Sequence, residues 1–165
     1  MHKISKAGAV ALLLSVIGLS ACYAQTGEAT ANNPQSELPL SEAGLKQVPL
    51  SIQTSDATHR FVVEVAQSGT QQAQGLMFRT RLSPDKGMIF PFPADRVASF
   101  WMKNTVISLD IIFIRRDGTI ESIAADTIPY SLDPVQSSEP VATVLEIAAG
   151  RANELGIRPG DIVTW

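Results

Sequence analysis

The sequence predicts a mostly β fold with two short helices, a compact β sandwich or barrel in a single domain. Three observations predict it. Apolar residues recur in short runs of period two, Gly, Pro and Asp punctuate those runs at close intervals, and only two stretches have helical character. The whole pattern falls within residues 48–165, a length that suits one domain.

Residues 48–54 (VPLSIQT) and 60–66 (RFVVEVA) are β-type runs separated by Asp56-Ala57-Thr58. In the second run Phe61, Val63 and Val65 mark the more apolar face. Residues 70–78 (TQQAQGLMF) form the first helix-like stretch, with Thr70 as its start. Gly75 inside it costs up to about 1 kcal/mol against Ala, so this helix is short or packs closely there. A turn at 82–87 leads into the extended segment 87–93 (GMIFPFP), which Pro91 and Pro93 assign to an edge or to irregular structure. Residues 98–102 and 109–115 are strands. The second holds DIIFI at 110–114, apolar on both faces, the mark of a central strand. Asp117-Gly118 is the strongest hairpin signal in the chain and pairs that strand with 119–125. Three prolines make 128–140 a long loop. Residues 141–147 (VATVLEI) are another strand, and 150–155 a short helix ended by Gly156. Arg158-Pro159-Gly160-Asp161 has Pro and Gly where a type II turn needs them, and 162–165 closes the sheet. These patterns carry no information on strand order.

Ahead of the domain, residues 1–21 read as a lipoprotein-type signal peptide. Lys3 and Lys6 supply a short positive region, and 7–19 is an apolar run too short to span a bilayer. Leu19-Ser20-Ala21-Cys22 has the lipobox pattern, in which Cys22 becomes the acylated first residue of the mature chain. Acyl chains bury about 0.8 kcal/mol per CH₂, so a multiply acylated cysteine anchors stably. The alternative is plain secretion with cleavage after Ala24. Either way the expected location is exported: the periplasmic face of a bacterial membrane, or soluble in the periplasm or outside. Cys22 is the only cysteine, so no internal disulfide forms. Residues 22–47, rich in Ala, Ser, Thr, Asn, Gln and Pro, read as a flexible tether with an r.m.s. span on the order of 25–30 Å.

The chain carries a net charge of −3, and loss of 1–21 leaves 11 basic against 16 acidic groups, or −5. That balance gives no electrostatic footprint for nucleic acid. A Gly-rich phosphate loop is absent. His2 leaves with the signal peptide and His59 stands alone, so zinc chemistry and a His-dependent triad are not expected, and no metal or cofactor is.

What remains is a set of polar residues among bulky apolar ones. Phe100-Trp101-Met102-Lys103-Asn104-Thr105 is the densest such stretch. Asp110 heads the apolar strand, Glu146 shares a strand face with Ala142 and Val144, and Arg79 follows Gly75-Leu76-Met77-Phe78. A buried carboxylate must find a partner, shift its pKa or destabilise the fold, so Asp110 and Glu146 are expected to meet Lys103, Arg79, Arg81 or backbone donors. Such pairs serve either a ligand site or merely strand register, and Asn104 either a ligand or a turn.

At these residues the chain resembles the uncharacterised-domain family DUF 192. The resemblance spans roughly 62–165. It is carried by Gly75-Leu76-Met77-Phe78-Arg79, Gly87-Met88-Ile89-Phe90, Phe100-Trp101-Met102-Lys103-Asn104-Thr105, Leu109-Asp110-Ile111-Ile112-Phe113-Ile114, Val144-Leu145-Glu146 and Gly156-Ile157-Arg158-Pro159-Gly160-Asp161. It implies a compact β-rich fold with short helices, often exported, and no established activity, cofactor or partner. Ser108 departs from the Pro common at that position in the family.

The functional expectation is a lipid-anchored, periplasm-facing module that binds a small polar solute or an envelope partner. Its candidate ligand residues are Arg79, Phe100, Trp101, Met102, Lys103, Asn104, Thr105, Asp110 and Glu146. Two alternatives stand beside it: a hydrolase or lyase using Asp110 and Glu146 as an acid/base pair, and a purely structural envelope protein.

Overall fold

The computed structural model describes residues 38–165, and the expected signal peptide, Cys22 and most of the expected tether lie outside them. Nine strands and two short helices make up the described chain. Strands β1 (Gln47–Gln53), β2 (Thr58–Val65), β3 (Lys86–Arg96), β5 (Leu109–Ile114), β6 (Ile120–Ala124), β8 (Val141–Ala148) and β9 (Ile162–Thr164) form one sheet in the order β6-β5-β8-β3-β2-β1-β9. It curls into a half-barrel, within the expected fold class. Strands β4 (Ser99–Phe100) and β7 (Val135–Gln136) pair separately, so the long Pro-rich loop contains a strand, and 98–102 contributes only two paired residues.

The curl brings the sheet's two edges together at one end. Thr119, just before β6, bridges Ile162 of β9, and the Val163 amide donates to the Gly118 carbonyl at 2.8 Å. Gly118 sits at φ +88, and a Cβ there would fall 2.6 Å from the Val163 carbonyl oxygen. The Asp-Gly hairpin thus does a second job at the closure. The type II turn is present, with Gly160 at φ +97 and the Asp161 amide donating to the Arg158 carbonyl.

Alternation along each strand divides the core into two layers. Val63, Val65, Ile89, Ile112, Ile114, Leu145 and Ile147 fill the inner side with Ala152 and Ile157 from the α2 region. Met88, Phe90, Ile111, Phe113 and Val144 point outward and are covered by Leu76, Ala98 and Met102. This two-sided burial is why β5 and β8 read as continuous apolar runs.

β3 corrects the expectation for 87–93. It is an interior strand, parallel to β2 through Ile89 and antiparallel to β8 through Pro91. The prolines are tolerated because β2 no longer pairs beyond Ile89, and the register with β8 is irregular between Pro91 and Arg96. Gly87 permits the tight β3–β8 approach, since a Cβ there would lie 2.5 Å from the Glu146 carbonyl oxygen.

Helix α1 (Gly69–Gln74) starts earlier than expected. Ser68, not Thr70, caps it in a reciprocal box with Gln71, and the helix stops at Gly75, φ +48. Helix α2 (Arg151–Glu154) has Gly150 at its N-cap and no local side-chain cap.

Candidate functional site

On the outer side of the sheet a cavity of about 270 Å³ opens between β8, β3, the end of α1 and the segment 99–105. Its walls include Phe90, Phe100, Trp101, Leu76 and Met77, and its polar lining includes Glu146, Arg96 and Thr105. Phe100 is fixed by edge-on contacts with Phe90 (centroids 5.1 Å apart) and Phe113 (6.5 Å). Trp101 remains 51% exposed beside it.

Glu146 is the unusual member. Its residue is 5% exposed, and outward alternation places it in line with Met88 and Ile111 on the neighbouring strands. No described residue hydrogen-bonds or ion-pairs with its carboxyl, and burial alone pushes it up to about 8. That shift favours the neutral acid near pH 7, at the wall of a cavity with mixed aromatic and polar lining.

Asp110 has the opposite fate. Alternation sends it to the other side of the sheet, where it is fully buried and saturated by backbone donors. One carboxylate oxygen accepts from Asp126 N (2.9 Å) and Gly150 N (3.1 Å), the other from Ala152 N (2.8 Å). It is the missing cap of α2, delivered from β5. Asp110 and Glu146 therefore share no pocket, and the expected acid/base pair is not assembled.

The remaining candidates divide. Phe100, Trp101, Thr105 and Glu146 meet in the cavity. Met102 is core, its sulfur 3.2 Å from the Thr127 hydroxyl. Lys103 extends over the Trp101 ring at 5.2 Å to the centroid, without lining the cavity. Asn104 holds loop geometry: at φ +55, its carbonyl accepts from Phe78 N at 2.8 Å, and its amide lies 3.9 Å from the Met77 sulfur. Arg79 pairs with Glu64 at 2.7 Å and lines a neighbouring, larger cleft of about 570 Å³ with Arg81 and Lys86. None of the expected side-chain partners, Lys103, Arg79 or Arg81, reaches Glu146, whereas Asp110 meets the expected backbone donors.

Arg96 lines the cavity and was not among the candidates. Its guanidinium stacks 3.9 Å from the Phe92 ring centroid. Nothing in the exposed, irregular end of β3 flags it in sequence, because strand periodicity fails at the register shift.

The backbone next to the lining residues Met77 and Thr105 is strained. Phe78, Asn104 and Tyr130 are non-glycine residues in the left-handed region, and backbone bonds link them: Phe78 N to Asn104 O, and Tyr130 N to Thr105 O at 3.1 Å. Phe78, Trp101, Ile128, Tyr130 and Leu132 are all exposed on these loops. Among the described residues no group of three His, Cys, Asp or Glu side chains could hold a metal ion, and no helix is long and apolar enough to cross a membrane.

The family model DUF192, described as an uncharacterized ACR, matches residues 50–165. The chain belongs to the DUF 192 family. Two solved structures share its fold and much of its sequence. A protein of unknown function from Novosphingobium aromaticivorans DSM 12444 is 42% identical with a TM-score of 0.77, covering 84% of this chain and 99% of its own. A protein from Sinorhizobium meliloti 1021 that carries the name of a transcription regulator is 41% identical with a TM-score of 0.71, covering 73% and 94%. No curated protein matches. The family match includes every lining residue of the Glu146 cavity. In this DUF 192 domain the Ser108 hydroxyl donates a hydrogen bond of 2.6 Å to the Thr127 carbonyl.

Proposed function

We propose that this DUF 192 protein is an exported, lipid-anchored binding module whose Glu146 cavity takes a small polar solute. The observation that carries the reading is a nearly buried carboxyl without a protein partner at the wall of an aromatic-lined cavity. Leaving a polar group unpaired in an apolar setting costs free energy, and a ligand atom offers the compensation the fold withholds. A concave apolar site with a few convergent polar groups is the usual form of a small-molecule site. The strained backbone at Phe78, Asn104 and Tyr130 supports the same reading, since rare conformations clustered beside the lining residues Met77 and Thr105 are held there at some cost.

The anchor half of the proposal rests on the positive region, the apolar run and Leu19-Ser20-Ala21-Cys22. The regulator name of the Sinorhizobium relative is not carried over, because a chain of net charge −3 lacks a phosphate-binding footprint. An envelope partner would use the exposed apolar rim instead of the cavity.

A thermal-shift screen of polar solutes on wild type and Trp101→Ala tests the cavity. Trp101 is half exposed, so its loss leaves folding intact while removing one wall. The expected result is a compound that stabilises wild type and not the variant. Equal shifts in both proteins for every stabilising compound overturn the reading. Cys22→Ala should move the chain from the membrane fraction to the soluble one; continued membrane partition overturns the anchor.

A further inference from the structure

We propose that the Glu146 cavity receives a small zwitterion of amino-acid type: its ammonium on Glu146, its carboxylate on Arg96, and an apolar side chain against Phe100 and Trp101. This rests on the binding reading above and names the ligand class for the same cavity.

The argument starts from the charges. Among the lining residues only Glu146 and Arg96 carry titratable side chains, one acid and one base. They do not pair with each other, and neither has an ion-pair partner among the described residues. No neighbouring element supplies that partner, and β5 sets only Ile111 beside Glu146. Helix α1 and its end contribute amides and apolar groups, Gln72, Gln74 and Met77. The 99–105 segment contributes hydroxyls and rings, while Lys103 lies over Trp101 outside the lining. On β2, Glu64 shares the face of Glu146 beyond Met88 but is already bound to Arg79. A ligand with a positive end and a negative end completes both groups, whereas a plain amine or a plain acid completes one.

The two ends also differ in the right way. Glu146 is nearly buried among aromatic rings, whose negative faces favour an ammonium. Arg96 is exposed, so a carboxylate there keeps part of its hydration while meeting a planar two-pronged donor. A volume of about 270 Å³ accommodates a single amino acid, and Phe90, Leu76 and Met77 supply apolar contact for its side chain.

Proton balance gives a signature. In the empty cavity burial holds the Glu146 carboxyl up to about 8, so it enters neutral at pH 6.5. The arriving ammonium keeps its three protons, the carboxyl releases its own to solvent, and an ion pair remains. Binding should therefore release about one proton at pH 6.5 and tighten as pH rises through 8, where half of the Glu146 carboxyls are already ionised.

Calorimetry on the full chain, in buffers of different ionisation enthalpy, tests this with L-leucine, leucinamide, which lacks the carboxylate, and 4-methylpentanoate, which lacks the amine. Expected are binding of leucine with proton release, affinity at least about tenfold weaker for both analogues, and comparable losses in Arg96→Gln and Glu146→Gln. Arg96→Gln changes an exposed side chain and keeps the test open if Glu146→Gln folds poorly. Leucinamide binding as well as leucine, or leucine binding unchanged in Arg96→Gln, overturns the zwitterion. Failure of the amino acid while another solute binds at Trp101 overturns the ligand class and leaves the binding reading standing. If nothing in the solute screen binds, both fall together.

Discussion

Two carboxyl groups on adjacent strands show how far a residue's role depends on one step of alternation. Asp110 stands opposite Ile147 and Glu146 opposite Ile111, so the two are near neighbours in register and on opposite sides of the sheet. Asp110 meets three backbone donors; Glu146 meets none. The difference predicts opposite responses to the amide. Asp110→Asn must present an NH₂ group to at least one backbone N–H, and its expected cost is about 3 kcal/mol by urea denaturation. Glu146→Gln removes a proton-binding group whose folded pKa is raised from 4.5 to about 8. Across that window the native state holds a proton that the unfolded chain has lost. Wild-type stability should therefore fall as pH rises from about 4.5 to 8, by up to roughly 1.4 kcal/mol per pH unit, and level off above. The variant should lose most of that slope, and a slope unchanged in Glu146→Gln would assign the effect elsewhere. That both carboxyls are buried was legible from their apolar flanks. That one is a cap and the other an open site was not, because the partners lie up to 42 positions away in sequence.

At the scale of elements, period-two patterning located most strands of the sheet, including the Asp-Gly hairpin and the type II turn, since each is a local matter of side-chain alternation and φ. It misjudged β3. Prolines there argue for an edge, and the sheet meets the objection by ending the β2 pairing before Pro91. Gly87 is the complementary feature, a strand glycine whose absent side chain lets β8 pass. Gly87→Ala places a methyl group against the Glu146 backbone, with the Ile147 and Val63 side chains close by. Overpacking of this kind costs about 1–3 kcal/mol, and it acts on the strand that carries Glu146. The expected outcome is therefore double: a lowered urea midpoint, and a changed ligand response in a protein whose cavity residues are all intact. Loss of stability with unchanged binding would mean that the Glu146 backbone does not position its carboxyl.

For the molecule as a whole, strand order decided everything that sequence patterning left open. Seven strands with both faces covered fit a sandwich or a closed sheet equally well until the edges are seen to meet. They meet through backbone contacts at Gly118, Thr119 and Ile120 on one side and Gly160, Asp161, Ile162 and Val163 on the other. Nothing in these residues' hydropathy distinguishes them from ordinary turn flanks, so the contact is invisible in the chain read linearly. Its weight can be measured. Gly118→Val adds a branched side chain at φ +88 and within 2.6 Å of the Val163 carbonyl oxygen, so the hairpin or the contact must yield. The β5–β8–β3 ladder has its own continuous pairing, although β5 also pairs with β6 and Ile120 and Val163 pack in the same core layer as Ile112, Ile114 and Leu145. Amide exchange should accordingly quicken in β9 and at the start of β6, while β5 and β8 keep protection close to the global limit. The Glu146 cavity draws its lining from β3, β8 and the loops above them, so ligand binding should survive the same substitution. Uniform loss of protection would instead make the seam part of a single cooperative unit, and would tie the cavity to the closure of the sheet.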